Sequence, residues 1–146
     1  MDNLGSKLVS VKMIFNARKD GWSASDFHEK CDDKGPTISF IQLKDGPCIG
    51  GFTTAKWRSI EEEERRNQFL SDRYSFIFNL DDNLFIKVKN SNRAIAGHPD
   101  NGPTYGNGDL VVFSKFNEPN HLRSMAKESV YNIPEVNGKN VLTKVR

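Results

Sequence analysis

The sequence predicts an α+β domain, mainly β, in which two antiparallel sheets form a two-layer sandwich flanked by short helices. Short runs of β-branched and aromatic residues are separated by turn-forming residues, one run alternates with period two, and only two segments have helix signals. The 146 residues suffice for one domain, and hydrophobic residues make up 36% of the chain and include ten phenylalanines. That is enough apolar material for a single core.

The chain begins with a predicted strand and a predicted helix. Residues 11–15 include β-branched and aromatic residues, which favours a first strand. Ser23 has the position of an N-cap and Asp26 follows three residues later, so a helix is expected to start here and run to about Cys31. Phe27 lies four residues before Cys31 and shares its helix face.

A hairpin and a longer helix are expected next. Residues 37–43 are apolar and β-rich, which predicts a central, mostly buried strand, and the turn at 44–46 joins it to a second strand at 48–53. Residues 59–70 predict a helix with Glu61–Arg65 and Glu62–Arg66 ion pairs. The four consecutive glutamates would dock a basic partner or form a solvated helix face, and we favour the solvated face.

The best alternating pattern lies in residues 74–80, followed by a turn and a second hairpin strand at 84–89. The pattern places Tyr74, Phe76, Phe78 and Leu80 on one face, which we expect to point inward. The segment 97–108 is expected to be a glycine-rich loop. It leads into a strand at 110–113, and 141–145 is expected to begin a last strand.

Charge and cysteine content exclude several classes. The 21 basic and 19 acidic residues argue against a nucleic-acid binder, and no run of apolar residues is long enough to cross a membrane. The start of the sequence has no signal-peptide pattern, so we expect a cytoplasmic protein. Cys31 and Cys48 are expected to be free thiols, and His28, His98 and His121 are too scattered for a zinc site. We expect neither a metal nor a cofactor.

Catalytic motifs are absent from the sequence, with one residue left as a candidate. Residues 102–109 lack the Gly-Lys-Ser/Thr ending of a P-loop and precede a strand, so their glycines are expected to form a tight bend. Cys31 would be activated if His28, three residues earlier, lowered the pKa of its thiol. The helix C-terminus and the packing beside Phe27 favour a buried, inert cysteine.

Four segments together resemble one known family. They are residues 20–37, the Gly50-Gly51-Phe52 run followed by Trp57, residues 75–80, and residues 102–110. In this order they resemble the TLDc domain, the module of the oxidation-resistance proteins. The similarity covers roughly residues 12–143, so we treat 1–11 as a short N-terminal extension and 12–146 as a TLDc-like domain.

The resemblance also marks a set of signature positions. These are Asp20, Gly21, Phe27, Cys31, Asp32, Gly35, Pro36, Thr37, Gly50, Gly51, Gly102, Pro103, Gly106, Gly108 and Asp109. The family supplies no agreed catalytic residues. The resemblance implies a two-sheet sandwich and a role in resistance to oxidative stress, and some family members bind the vacuolar proton-pumping ATPase.

Two departures from the family pattern concern the second half of the chain. TLDc domains usually close with a further strand, and the sequence reaches Arg146 before it, so this strand is expected to be missing. Residues 117–121 look like an insertion, which leaves partner specificity open.

Two functions of different classes remain. The first is a non-enzymatic module whose signature loops dock on a large assembly, with the proton-pumping ATPase as the partner that the resemblance implies. The second is a thiol-based redox protein that uses Cys31 and His28. We favour the first, because Asp32 and Asp33 beside Cys31 oppose the formation of a thiolate.

Overall fold

In the computed structural model, residues 10–118, 122–124, 130–131, 133–136, 139–140 and 142 are described. The helices are α1 (Ala17–Asp20) and α2 (Ala24–Cys31), and two short 3₁₀ helices span Glu62–Asn67 and Ser91–Arg93. The strands are β1 (Thr37–Gln42), β2 (Cys48–Thr53), β3 (Phe69–Leu70), β4 (Phe76–Asn79), β5 (Leu84–Lys87), β6 (Ile95–Ala96), β7 (Asn101–Tyr105), β8 (Leu110–Phe113), β9 (Leu122–Arg123), β10 (Glu135–Val136) and β11 (Lys139–Asn140).

The predicted mainly β architecture with two antiparallel sheets is confirmed. One sheet has the strand order β1-β2-β4-β5, the other has the order β3-β6-β7-β8-β9, and β10 pairs with β11. The core contains Ile49 and Ile77 from the first sheet, Tyr105 and Leu110 from the second, and Phe27 from α2. No helix in the described part of the chain is long and apolar enough to cross a membrane.

The start of α2 is as predicted, because its signal is local. The Ser23 hydroxyl accepts from the Asp26 N–H at 3.2 Å, and an Asp26 carboxylate oxygen accepts from the Ser23 N–H at 3.2 Å. These two bonds form a capping box, which satisfies helix N–H groups that have no partner within the helix.

The predicted first strand at 11–15 is wrong. Among the described residues none pairs with this segment as a strand, and the side chains of Val11 and Met13 are 71% and 73% exposed. Phe15 packs against Phe27 with ring centroids 5.7 Å apart. Asn16 then caps α1 by accepting from the Arg18 N–H, which ends the extended segment.

The first hairpin is confirmed, but β1 is an edge strand and not a central one. Its residues alternate between half-buried and exposed, with Ile38 39% and Phe40 60% exposed. The apolar content of this strand suggested burial on both faces, whereas only the face with Ser39 and Ile41 points inward.

The predicted helix at 59–70 is also wrong in type and length. A 3₁₀ helix spans Glu62–Asn67, and β3 follows it. Residues 61–66 are six consecutive charged residues, so the sequence offers no apolar stripe with which an α-helix could pack. The predicted glutamate–arginine pairs involve Arg65 and Arg66, whose side chains lie outside the described part.

The prediction for β4 has the right period and the wrong face. Ser75, Ile77 and Asn79 point inward, and Phe76 and Phe78 lie on the outer face. The two inner polar groups are satisfied, because Ser75 donates to the Phe52 carbonyl at 2.8 Å and the Asn79 amide donates to the Leu142 carbonyl at 2.8 Å. Hydrogen bonds therefore allow a polar–apolar–polar set to face the core.

The segment predicted as a loop at 97–108 contains strand β7, so the loop prediction is wrong over 101–105. Gly106 and Gly108 have φ values of 71° and 95°, as expected for a tight bend. Of the predicted last strand at 141–145, only Leu142 is described, and its side chain is buried. His121 and part of the insertion-like segment also lie outside the description.

The two sheets approach closely at Gly51. A Cβ at this position would overlap the buried ring of Tyr105, whose hydroxyl donates to the Ser39 hydroxyl at 3.2 Å. The absence of a side chain at Gly51 therefore lets an aromatic ring of the second sheet lie directly on the backbone of the first.

We expect Gly51→Ala to lower the free energy of unfolding by about 1–3 kcal/mol, because the added methyl group displaces the Tyr105 ring. Urea titration followed by tryptophan fluorescence measures this change. Gly46→Ala is the control: its Cβ would come no closer than 3.1 Å to the Leu43 Cβ, and its effect should stay below about 1 kcal/mol. Equal stability of Gly51→Ala and the wild type would contradict the proposed close contact.

Candidate functional site

The first signature segment packs around Trp57. The indole is 1% exposed, and its ring contacts Phe27 and Tyr105 edge-on, with centroids 5.5 and 5.6 Å away. Its Nε1–H donates to the Thr37 hydroxyl at 2.8 Å. One side chain therefore joins α2, the start of β1 and the second sheet.

Backbone hydrogen bonds hold the loop after α2 against the loop of Trp57. The Asp33 N–H donates to the Trp57 carbonyl at 2.8 Å, and the Trp57 N–H donates to the Lys34 carbonyl at 3.4 Å. Gly35 lies against the same loop, since a Cβ there would come within 2.8 Å of the Ala55 carbonyl oxygen. The Gly35–Pro36 peptide bond is cis.

His28 ties a third loop to this pair. Its Nε2 lies 3.1 and 2.8 Å from the carbonyl oxygens of His98 and Asn101, which only accept, so this nitrogen carries a proton and donates. Its Nδ1 lies 2.7 Å from an Asp32 carboxylate oxygen, and the Ser59 hydroxyl donates to the other oxygen at 2.6 Å. His28 is thus a positioning residue that connects all three loops.

The exposed rim of these loops forms a candidate recognition surface. We define this three-loop surface by its exposed residues Asp33, Lys34, Pro36, Lys56, Arg58 and Asp100. It has both signs of charge, and the exposed run of four glutamates at 61–64 follows directly in the chain. Buried side chains fix the loops from below, and the outer groups of the loops are exposed.

The second signature segment is a turn that closes on its own carboxylate. Asp109 is buried, and its two oxygens accept from the Asn107 N–H at 3.1 Å and from the Tyr131 N–H at 2.8 Å. Gly106 lies directly against this carboxylate. The backbone N–H of Asn107, which an anion cradle would offer to a ligand, is thus occupied within the protein.

Cys31 is 4% exposed, and burial raises the pKa of its thiol to about 12, with further contributions from Asp32 and Asp20. The proposed activating residue, His28, contacts Asp32 and the carbonyls of the 98–101 loop. Burial also raises the pKa of the half-buried Cys48 thiol, and the Asp81 carboxylate makes a smaller contribution in the same direction. Neither environment favours a thiolate.

Sequence reasoning missed one buried carboxylate. Asp72 accepts four hydrogen bonds of 2.6–3.0 Å, two from hydroxyls and two from backbone N–H groups, contributed by Thr53, Thr54 and Tyr74. Only the adjacent threonines hint at it in the sequence. No group of three or more His, Cys, Asp or Glu residues in the described ranges is arranged to hold a metal ion.

The comparison with protein families identifies the family of this chain. The model of the TLDc domain matches residues 3–138. The chain belongs to the TLDc family. No curated protein and no solved structure matches it.

The signature positions of this TLDc domain occupy several places and do not form one pocket. Phe27, Cys31, Asp32, Gly35, Pro36 and Thr37 lie along α2 and the loop held by Trp57; Asp20 and Gly21 lie at the α1–α2 junction; Gly50 and Gly51 lie in β2; Gly102 and Pro103 lie in β7; and Gly106, Gly108 and Asp109 form the β7–β8 turn. Their shared property is structural, since most pack, cap or permit close contacts.

We expect Cys31 in a Cys48→Ser variant to react with a thiol reagent at least a thousandfold more slowly than in the unfolded chain at pH 8. A pKa near 12 in place of 9.0 reduces the thiolate fraction by roughly that factor. The rate should rise about tenfold per pH unit through pH 9 without a plateau. Stopped-flow labelling in buffer and in denaturant measures both rates, and similar values in the two would contradict the buried environment.

Proposed function

We propose that this TLDc domain is a non-enzymatic protein-interaction module that docks on a large assembly through the three-loop surface. The observation that supports this proposal most strongly is the fixation of three loops from beneath by Trp57, His28 and Asp32. Loops that are already ordered lose little conformational entropy when they bind, so a pre-organised surface of this kind favours recognition.

The chemistry of the surface suits a protein partner. The surface carries Lys34, Lys56 and Arg58 together with Asp33 and Asp100, and all five are exposed. Mixed charges on a rigid backbone favour a partner with the complementary arrangement and disfavour a uniformly charged polymer such as nucleic acid. Arg58 also belongs to a residue type that is enriched at protein interfaces.

The TLDc family suggests the partner. Some of its members bind the vacuolar proton-pumping ATPase, and we propose this ATPase as the assembly, in the cytoplasm and in the service of resistance to oxidative stress. In this account the domain acts by occupying a site on the assembly, and none of its own residues takes part in a chemical step.

We expect the folded domain, used as bait in native lysate, to recover several subunits of the ATPase, identified by mass spectrometry. The double variant Lys34→Glu with Arg58→Glu should lower this recovery at least tenfold, because reversed charges meet like charges on the partner. Lys115→Glu, a charge reversal at a side chain that is 72% exposed in the loop after β8, is the matched control and should bind as the wild type does.

Titration of the purified soluble sector of the ATPase with the same three proteins separates direct binding from capture through another component. If the double variant Lys34→Glu with Arg58→Glu binds the purified sector as tightly as the wild type does, the interface lies outside the three-loop surface. Failure of the folded wild type to bind the purified sector would remove this partner.

The redox alternative with Cys31 is opposed by its burial and by its raised pKa. A peroxide-consumption assay decides between the two functions. We expect the wild type and Cys31→Ser to consume peroxide at the same rate as buffer alone. If the wild type consumes peroxide and a folded Cys31→Ser protein does not, the result supports the redox function in place of the docking function.

A further inference from the structure

The outer face of the β1-β2-β4-β5 sheet is aromatic. Phe40, Gly50, Phe78 and Phe85 lie opposite one another across the four strands. Phe40 is 60% and Phe85 is 51% exposed, whereas Phe78 between them is fully buried by its neighbours. The row therefore has a buried ring at its centre and an exposed ring at each edge.

The rings of this face contact one another. Phe78 lies 5.8 Å from Phe40 and 6.2 Å from Phe85, and Phe52 stacks on Phe76 at 5.2 Å. We call these five residues the aromatic face. Ring-to-ring packing orders the face, and water reaches it mainly at Phe40 and Phe85.

The two ends of the aromatic face differ in charge. Asp45, Asp81 and Asp82 lie in the two hairpin turns at one end, where Lys44 is the one basic residue of those turns. Arg73, Lys87 and Lys89 lie at the other end, before β4 and at the end of β5, and all are exposed. The face is therefore apolar in the middle, acidic at one end and basic at the other.

We propose that the aromatic face is the interface of a symmetric dimer, with a second copy of this chain as its occupant. A two-fold axis that lies in the interface and runs across the strands turns one copy end for end. The acidic turns of each copy then lie over the basic end of the other, and the phenylalanines meet in the centre. Such an interface is self-complementary, as two-fold symmetry requires.

The size of the face sets the strength of the dimer. Strands about 4.8 Å apart and residues about 3.3 Å apart give a flat area of roughly 400 Å² per copy once side chains are included. Two copies bury roughly 800 Å², which lies below the usual size of stable interfaces. We therefore expect a weak dimer whose population rises with protein concentration.

The same charges argue against a membrane as the occupant. An anionic bilayer attracts the end with Arg73 and Lys87 and repels the end with Asp81 and Asp82. A second copy turned end for end satisfies both ends at once.

Sedimentation velocity from 1 to 200 µM, with vesicles of phosphatidylcholine and phosphatidylserine as a parallel sample, tests the proposal. We expect a monomer–dimer equilibrium without vesicle binding. Phe40→Ser and Phe85→Ser should each weaken dimerisation at least tenfold, and because both side chains are more than half exposed we expect both variants to fold. Met13→Ser, at an exposed apolar side chain outside the face, is the matched control and should leave the dimer unchanged.

A charge exchange tests the direction of the axis. Lys87→Glu alone and Asp82→Lys alone should each weaken their own dimers, because like charges then face one another. An equimolar mixture of the two variants should form a heterodimer, since each altered end meets its complement in the other chain. Raised salt should weaken the wild-type dimer.

Three results would overturn the proposal. They are a monomer at every concentration, a dimer that Phe40→Ser and Phe85→Ser do not weaken, and a mixture of Lys87→Glu with Asp82→Lys that associates no better than either variant alone. If the protein is monomeric and sediments together with the vesicles, a membrane and not a second copy occupies the aromatic face.

Discussion

The positions of the loops in this domain depend on the packing of Trp57 between the two sheets. Its ring packs edge-on against Phe27 of α2 and Tyr105 of β7, and its Nε1–H bonds to Thr37 at the start of β1. The backbone on either side of the ring holds the Asp33–Lys34 segment. Because one residue provides apolar packing and directed hydrogen bonds, the position of α2 and the positions of the loops are determined together.

Satisfied polar groups in the interior complete this arrangement. The carboxylates of Asp72 and Asp109 accept hydrogen bonds from residues of β2 and of the loops, and the Tyr131 hydroxyl lies 2.6 Å from both the Ser75 hydroxyl and the Ala94 carbonyl. Burial raises the pKa of Tyr131, so its hydroxyl keeps its proton and remains a donor. A polar interior of this kind is costly when incomplete, and it therefore favours one arrangement of the loops.

Local signals made part of this structure predictable. The Ser23–Asp26 capping box and the first hairpin depend on residues close in sequence, and both are confirmed. The inward face of β4 depends on distant partners, because Ser75 and Asn79 are acceptable inside only when Phe52 and Leu142 accept their hydrogen bonds. The Asp72 site has the same origin, since its donors lie up to 19 residues away. The signature motifs predicted the family correctly, while the way in which His28, Asp32 and Ser59 join three loops required the folded chain.

The reversal of β4 links the fold to both proposed surfaces. Polar groups at Ser75 and Asn79 turn inward, so Phe76 and Phe78 turn outward and belong to the aromatic face. The three-loop surface begins where β1 starts and β2 ends, which is the end of the sheet where Lys87 lies. A dimer turned end for end therefore holds its two three-loop surfaces at opposite ends. Such a dimer engages an assembly with two suitably spaced sites more strongly than a single domain does, because the second contact forms at a high effective concentration.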